Sequence, residues 1–315
     1  MQIIGYTPER KEEWDAFVRT SRNGTFLLLR DYMDYHADRF TDCSLMFYRE
    51  GKLMALLPAN LRKEEQTIYS HQGLTYGGLI VGENITTLRV LELFEKLEKW
   101  LKDELGIHRM VYKVIPYIYH RCPAEEDLYA LFRRCAKLRS RAVASVIEQS
   151  HKIAMRKGRK STIKQARKSG ISIAESEDFV AFWELLSKLL SDKYATKPVH
   201  SLEEITRLKA LFPQEIHLFI ATSEEGKLLG GSIVYEFENL IHAQYIAASP
   251  EGKEMGAIDL LYAYLIDERY ADKRYIDFGT SVEQGGWMVN EGLLRQKEAF
   301  GARAVVYDTY EWEFA

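Results

Sequence analysis

The sequence carries one segment twice, and the interval between the copies sets the size of the folding unit. Glu50-Gly51-Lys52-Leu53 lies between the apolar runs Leu45-Met46-Phe47-Tyr48 and Met54-Ala55-Leu56-Leu57. Glu225-Gly226-Lys227-Leu228 lies between Leu218-Phe219-Ile220-Ala221 and Leu229-Gly230-Gly231-Ser232-Ile233. The copies begin at positions 50 and 225, 175 residues apart, and at that offset Ile68-Tyr69-Ser70-His71 aligns with Ala243-Gln244-Tyr245-Ile246. Solenoid units are only about 20 to 50 residues long, so this interval describes a duplicated domain. Glu-Gly-Lys alone is ordinary hairpin-turn chemistry. The order of elements around it is what argues for duplication.

A chain of 315 residues suits about two domains. A net charge of −3 and a pI near 6.3 exclude a surface that is basic throughout but leave room for one basic stripe. Cys43, Cys122 and Cys135 form no Cys-x-x-Cys pair and are odd in number, as for thiols of a reducing compartment. The eight histidines have no ligand spacing, so no metal is expected. No run approaches the roughly 18 apolar residues of a membrane span, and Met1 to Arg10 lacks a signal core. These features together lead us to expect a cytoplasmic protein.

Periodicity supplies the elements. Strands are expected at 2–6, 44–49, 53–61 and 67–71, with a helix from Pro8 carrying Trp14, Phe17 and Val18 and another apolar segment, read as helical, from Phe26 to Tyr35. Leu88, Leu91, Phe94, Leu97, Trp100 and Leu101 fall at helical spacing, and Gly106 ends that helix. A strand from Arg109, a helix over 124–138 and a strand over 140–147 complete the first unit, 1–149. A connecting segment, 150–170, carries Lys152, Arg156, Lys157, Arg159, Lys160, Lys164, Arg167 and Lys168 with no acidic residue between Glu148 and Glu175. The second unit, 171–315, repeats the pattern: helices over 179–190 and 201–211, strands at 216–222, 228–237 and 240–248, a Gly252–Gly256 loop, a helix over 257–271, a strand at 274–279, a helix over 288–300 and a last strand over 303–312. Hairpin-linked strands followed by helical crossovers imply an α/β (α+β) chain whose sheets are mixed, mostly antiparallel and flanked by helices.

That order resembles two tandem GNAT (N-acetyltransferase) units, as in the FemABX family of acyl and aminoacyl transferases. The basic run Arg159-Lys160-Ser161-Thr162-Ile163-Lys164-Gln165-Ala166-Arg167-Lys168-Ser169-Gly170-Ile171 is similar to that family's basic helix. Asp277-Phe278-Gly279-Thr280-Ser281, then Asn290-x-Gly292-Leu293 and Lys297-x-x-Phe300-Gly301-Ala302, resemble its terminal segment. The resemblance implies a donor slot between the strands 240–248 and 275–279, with Ile246, Ala247 and Ala248 lining it and one of their amides serving the oxyanion. It implies that coenzyme A pyrophosphate, if used, would sit at Lys253, Met255, Gly256 and Ala257. Lys stands there where Gln or Arg is the family's choice, Ile258 where Gly or Ala is, and Glu254 adds negative charge. The first unit then serves as acceptor-side scaffold.

Lys297, by resemblance, faces a cleft between the units and neutralises phosphate or developing charge; a solvated helix lysine is the equal alternative. Asp277 either orients the incoming amine or caps the next turn, capping being the commoner role. Tyr245 and His242 stand at odd spacing on the slot strand, with Tyr245 the catalytic choice; a core aromatic and a surface histidine are the commoner alternative. Ser281 and Asn290 are donor-side candidates or caps, and Trp287 covers a cleft or packs in its loop. Arg156, Arg159, Lys160 and Lys164 are expected to attract phosphate without base stacking, since no aromatic residue interleaves them. The reaction implied is direct attack of a primary amine, on a small molecule or peptide, on an activated carbonyl. Acyl-CoA is then a co-substrate and no cofactor is tightly bound. Two alternatives stand beside it: a charged tRNA as donor to a peptidoglycan precursor, and a catalytically silent binding protein. DNA is not an expected partner.

Overall fold

A computed structural model describes residues 1–194 and 196–314. The chain divides into two compact units: Met1–Ala142 with Val282–Met288 and the residues from Val306 onward, and Val143–Ser281 with Val289–Val305.

The first unit runs β1 (Gln2–Gly5), α1 (Lys11–Thr20), α2 (Arg30–Met33), β2 (Thr41–Asp42), β3 (Leu45–Arg49), β4 (Lys52–Leu57), β5 (Asn60–Arg62), β6 (Thr67–Tyr69), β7 (Ile80–Val81), α3 (Thr87–Leu105), β8 (Arg109–Lys113) and α4 (Glu126–Arg133), then enters β9 (Lys137–Glu148). The order β1-β3-β4-β7 is antiparallel throughout, whereas β6 pairs in parallel with β8. The stretch 26–35, expected as one helix, is a short helical turn at Phe26–Leu28 followed by the single turn of α2. Gly106 closes α3 at φ 63°, where a side chain would be strained.

The second unit contains the rest of β9, then α5 (Lys157–Lys168), β10 (Ser172–Ser176), α6 (Phe179–Tyr194), α7 (Leu202–Leu211), β11 (Ile216–Thr222), β12 (Leu228–Glu236), β13 (Leu240–Ala248), α8 (Pro250–Met255), α9 (Ala257–Tyr264) and β14 (Tyr275–Thr280). A small hairpin, β15 (Val282–Glu283) and β16 (Met288–Val289), leads to α10 (Glu291–Glu298) and β17 (Arg303–Glu313). β10-β11-β12-β13 is antiparallel, β13 pairs in parallel with β14, and β14 runs antiparallel to residues 144–148 of β9. In the first unit it is β2-β5-β6, in a sheet separate from β1-β3-β4-β7, that runs antiparallel and ends in a parallel pairing, β6 with β8.

The repeated turns differ in detail. Glu50 and Gly51, at φ 50° and 75°, make a two-residue hairpin between β3 and β4. Between β11 and β12 the connection is longer, with Gly226 at φ 81° and the Ser223 amide donating to Lys227 O.

Three expected boundaries move for identifiable reasons. Residues 250–255, expected as loop, form α8: Ser249 Oγ accepts from the Gly252 amide and Pro250 occupies the first turn. Gly252 is required because a Cβ there would lie 2.0 Å from Leu229 O. The helix beginning at 257 leaves α geometry after Tyr264 and finishes as a π turn, Leu265–Arg269. The last strand contributes Thr309–Glu313 to the first unit, paired with β8, and Trp312 is buried against Phe94 at 5.6 Å between rings.

The first unit's core gathers Phe47, Leu57, Phe94, Leu97 and Met110 with Trp312; the second gathers Ile163, Phe219, Val234, Leu261, Tyr262 and Ile276 with Phe300. Among the described residues no helix is long and apolar enough to cross a membrane.

Candidate active site

The parallel strands β13 and β14 of the second unit stay paired for three rungs only: Leu240 with Tyr275, Ile241 with Ile276, and His242 with Asp277. β13 continues to Ala248 without β14 beside it. The strands thus part at His242–Asp277, and the β13 edge beyond that rung is not paired with β14.

The last rung carries an imidazole and a carboxylate in contact. Asp277 is fully buried; its Oδ2 lies 2.7 Å from His242 Nδ1, and its Oδ1 accepts from the Gly279 amide at 2.7 Å. A bulge aims this carboxylate, since Phe278 and Gly279 together oppose Ser145 alone on β9. Gly279 has φ 69°, and a Cβ there would stand 3.1 Å from His242 Cε1, so a side chain would be strained and would crowd the imidazole. The Asp277 cap and the Asp277–His242 pair coexist, one through each oxygen.

A second bulge, at Gln244, brings Tyr245 to the same side. His242 pairs with Tyr235 and Tyr245 with Ile233, two positions apart on β12 and hence on one face. An odd spacing in a regular strand would have set them on opposite faces. Tyr245 Oη is 2.6 Å from His200 Nδ1, and its ring meets Trp183 of α6 edge-on at 5.2 Å. Burial raises the Tyr245 phenol, keeping it protonated.

Lys297 of α10 is buried, not solvated. Its Nζ donates to Gly279 O at 2.9 Å and Thr280 O at 2.8 Å. Burial lowers its pKa to about 8, and the Asp277 charge partly opposes that shift. Ser281, next along the chain, is buried with its Oγ unpartnered, and its carbonyl accepts from the Asn290 amide. Asn290 caps α10 through Oδ1 to the Leu293 amide at 3.0 Å. Trp287 is 87 % exposed.

Ile246, Ala247 and Ala248 lie on the unaccompanied stretch of β13. Lys253, Met255, Gly256 and Ala257 belong to a different setting. Lys253 is exposed on α8, and Gly256, at φ 74°, joins α8 to α9. α5 packs over this joint: a Cβ on Gly256 would lie 2.4 Å from Thr162 Cγ2. Arg159 ion-pairs with Asp259 in the first turn of α9, stacks 4.2 Å over Phe300 and donates to Gln296 O. The joint is thereby filled from above by protein, and a carboxylate already occupies the helix start. These residues do not fit a pyrophosphate cradle. Arg156, Lys160 and Lys164 are exposed on or beside α5.

Of the residues expected from the sequence, Asp277 and Lys297 lie beside each other and Tyr245 shares a strand face with His242; His242 and His200 were not among the expected site residues. The signals lay in a three-rung register and a bulge, neither of which leaves a compositional trace.

Residues 153–285 match the family model described as an acetyltransferase (GNAT) domain. No curated protein matches the sequence. Among solved structures the chain is similar to FemX at 12% identity and a TM-score of 0.70, over 99% of this chain and 97% of that one. It is similar to L-PGS from Bacillus licheniformis at 15% and 0.59, over 97% and 90%. A tandem GNAT protein from the clavulanic acid biosynthesis pathway is similar at 11% and 0.52, over 100% and 98%. Residues 153–285 thus match a GNAT domain, and the chain as a whole shares its fold with these structures.

Proposed function

We propose that the chain transfers an acyl or aminoacyl group from an activated donor to a primary amine, with the reaction in the second unit where β13 and β14 part. The observation that carries this reading is the His242–Asp277 pair on the last shared rung. Asp277 holds His242 by Nδ1, so Nε2 takes the proton as the amine attacks the carbonyl, and the pair spreads the resulting charge. Amides of β13 beyond Ala243 receive the tetrahedral oxyanion. Lys297, with two donor positions committed to carbonyls, adds positive charge beside Asp277. The protonated Tyr245 phenol, held by His200, supplies a proton to the departing group.

The GNAT family uses acyl-CoA, and such a donor is the first to try. The Thr162 contact over Gly256 and the Arg159–Asp259 pair favour the second reading, an aminoacyl ester on tRNA, which needs no pyrophosphate cradle. A donor screen tests both. Labelled acyl-CoA thioesters and a labelled pool of charged tRNAs are each offered with an amine, and transfer of label is measured for the wild type and His242→Gln. Transfer from either donor that the variant loses supports the reading. A folded wild type that transfers from neither donor supports the binding-only alternative instead.

A further inference from the structure

The basic connecting segment borders a groove that the reaction above does not use. Lys152 to Met155, the side of α5 bearing Lys160, Ile163, Lys164 and Arg167, and Ala263 with Asp267 on α9 and its π turn enclose about 450 Å³. The floor is apolar: Ile163 is buried in the core, Met155 packs against it, and Ile153 is 42 % exposed at the edge. The rim is cationic. Lys152 is paired with Asp267 and Arg167 with Glu268, whereas no ion pair or hydrogen bond engages the side chains of Lys160 or Lys164 among the described residues.

The groove lies on the α9 side of the sheet. Ile241 and Ile276 point to that side into the core with Leu261, and their strand neighbours His242 and Asp277 point to the other. An occupant of the groove therefore leaves the parting of β13 and β14 open. The chain as a whole is net −3, yet the segment from Lys152 to Lys168 has eight cations and no acid.

We propose that this groove is a peripheral site for an anionic phospholipid. The phosphate sits between Lys160 and Lys164, and the first methylenes of the lipid lie against Ile153, Met155 and Ile163. Two observations favour a lipid over a nucleic acid. The floor is aliphatic, which a ribose-phosphate backbone cannot exploit, and no aromatic ring is present for a base to stack on. Clusters of four to eight basic residues on an amphipathic helix suit an anionic bilayer surface, at roughly a fivefold gain in affinity for each cation that reaches it. The occupant would hold the protein at a membrane surface without entering the reaction.

Co-sedimentation with phosphatidylcholine vesicles, with and without phosphatidylglycerol, tests this on the full chain. Binding should require phosphatidylglycerol and weaken as salt rises. Lys160→Gln with Lys164→Gln should weaken it about 25-fold, and Ile153→Asp should weaken it as well. Both changes are at exposed positions, and circular dichroism checks the fold. Failure of the wild type to bind phosphatidylglycerol vesicles overturns the proposal. So does binding that Ile153→Asp leaves intact and that uncharged tRNA or inorganic polyphosphate displaces, since the site would then serve a soluble polyanion.

Discussion

His242 Nδ1 and Asp277 Oδ2 stand 2.7 Å apart on the final rung between β13 and β14, one rung before the strands separate. Backbone pairing fixes the distance between these two Cα atoms, and the Gly279 amide fixes the second carboxylate oxygen, so the imidazole has little freedom to turn. Asp277→Asn keeps an oxygen for one of these partners but cannot hold the same His242 tautomer. Turnover should fall about 10²- to 10⁴-fold, the usual worth of a positioned base. His242→Gln should cost as much, and the double variant little more, because the two act as a unit. Additive losses in kcat/KM would mean that the pair is structural only.

Lys297 gives the site a pH limit. Burial brings its pKa from 10.5 to about 8, so a reaction that needs the ammonium should slow as pH rises past about 8. Lys297→Arg cannot lose its charge in this range, and whatever activity it keeps should lack that descending limb. Stability moves the other way. Between about 8 and 10.5 the unfolded chain holds a proton that the folded lysine has released, so this residue makes the protein more stable as pH rises through that window. Urea midpoints across it should rise less for Lys297→Met than for the wild type.

Much of this architecture was legible beforehand. The Leu88–Leu101 periodicity and Gly106 fixed α3 because one face of that helix meets a core and its end needs a left-handed residue. Within the candidate site, Asp277 and Lys297 could be singled out because their residue types stand out. The side chains they meet could not, because those depend on register. Three paired rungs, the Gln244 bulge and the Phe278–Gly279 bulge determine which side chains meet, and each arises from tertiary pairing that a one-residue slip would undo. The Pro250–Met255 helix was missed because its two glycines, Gly252 and Gly256, read as a loop. Gly252 is there for close packing on Leu229 and Gly256 for a left-handed joint.

That joint makes its own prediction. Gly256→Ala places a methyl at φ 74° and 2.4 Å from Thr162 Cγ2, adding backbone strain to a clash. The expected loss is about 2 to 3 kcal/mol by urea denaturation. Thr162→Ser removes the offending methyl and keeps the hydroxyl bonded to Gly158 O, so in the Gly256→Ala background it should restore about half. A coupling near zero in this double-mutant cycle would show that α5 does not press on the joint, and the case against a pyrophosphate there would weaken.

Asp127, in the first unit, carries the clearest pH signature away from the site. It is buried on α4, accepts from Tyr112 Oη at 2.5 Å and from the Leu128 amide at 2.8 Å, and burial raises its pKa to about 6. The folded state therefore holds this proton more tightly than the unfolded chain, whose carboxyl titrates near 3.8. Its favourable contribution is complete below about pH 4 and is lost as pH climbs through 6. The change across that window is at most about 3 kcal/mol, from a shift of roughly two units. Asp127→Asn should abolish this slope. At pH 4 the variant should be close to the wild type, because its amide offers the Leu128 N–H an acceptor and Tyr112 Oη a donor, as the neutral carboxyl does. At pH 7 the variant should be the more stable, since the wild type then buries a carboxylate. Parallel stability curves for the two proteins between pH 4 and 7 would show that Asp127 stays ionised in the fold, with the Tyr112 hydroxyl and the Leu128 amide sufficient to hold the charge.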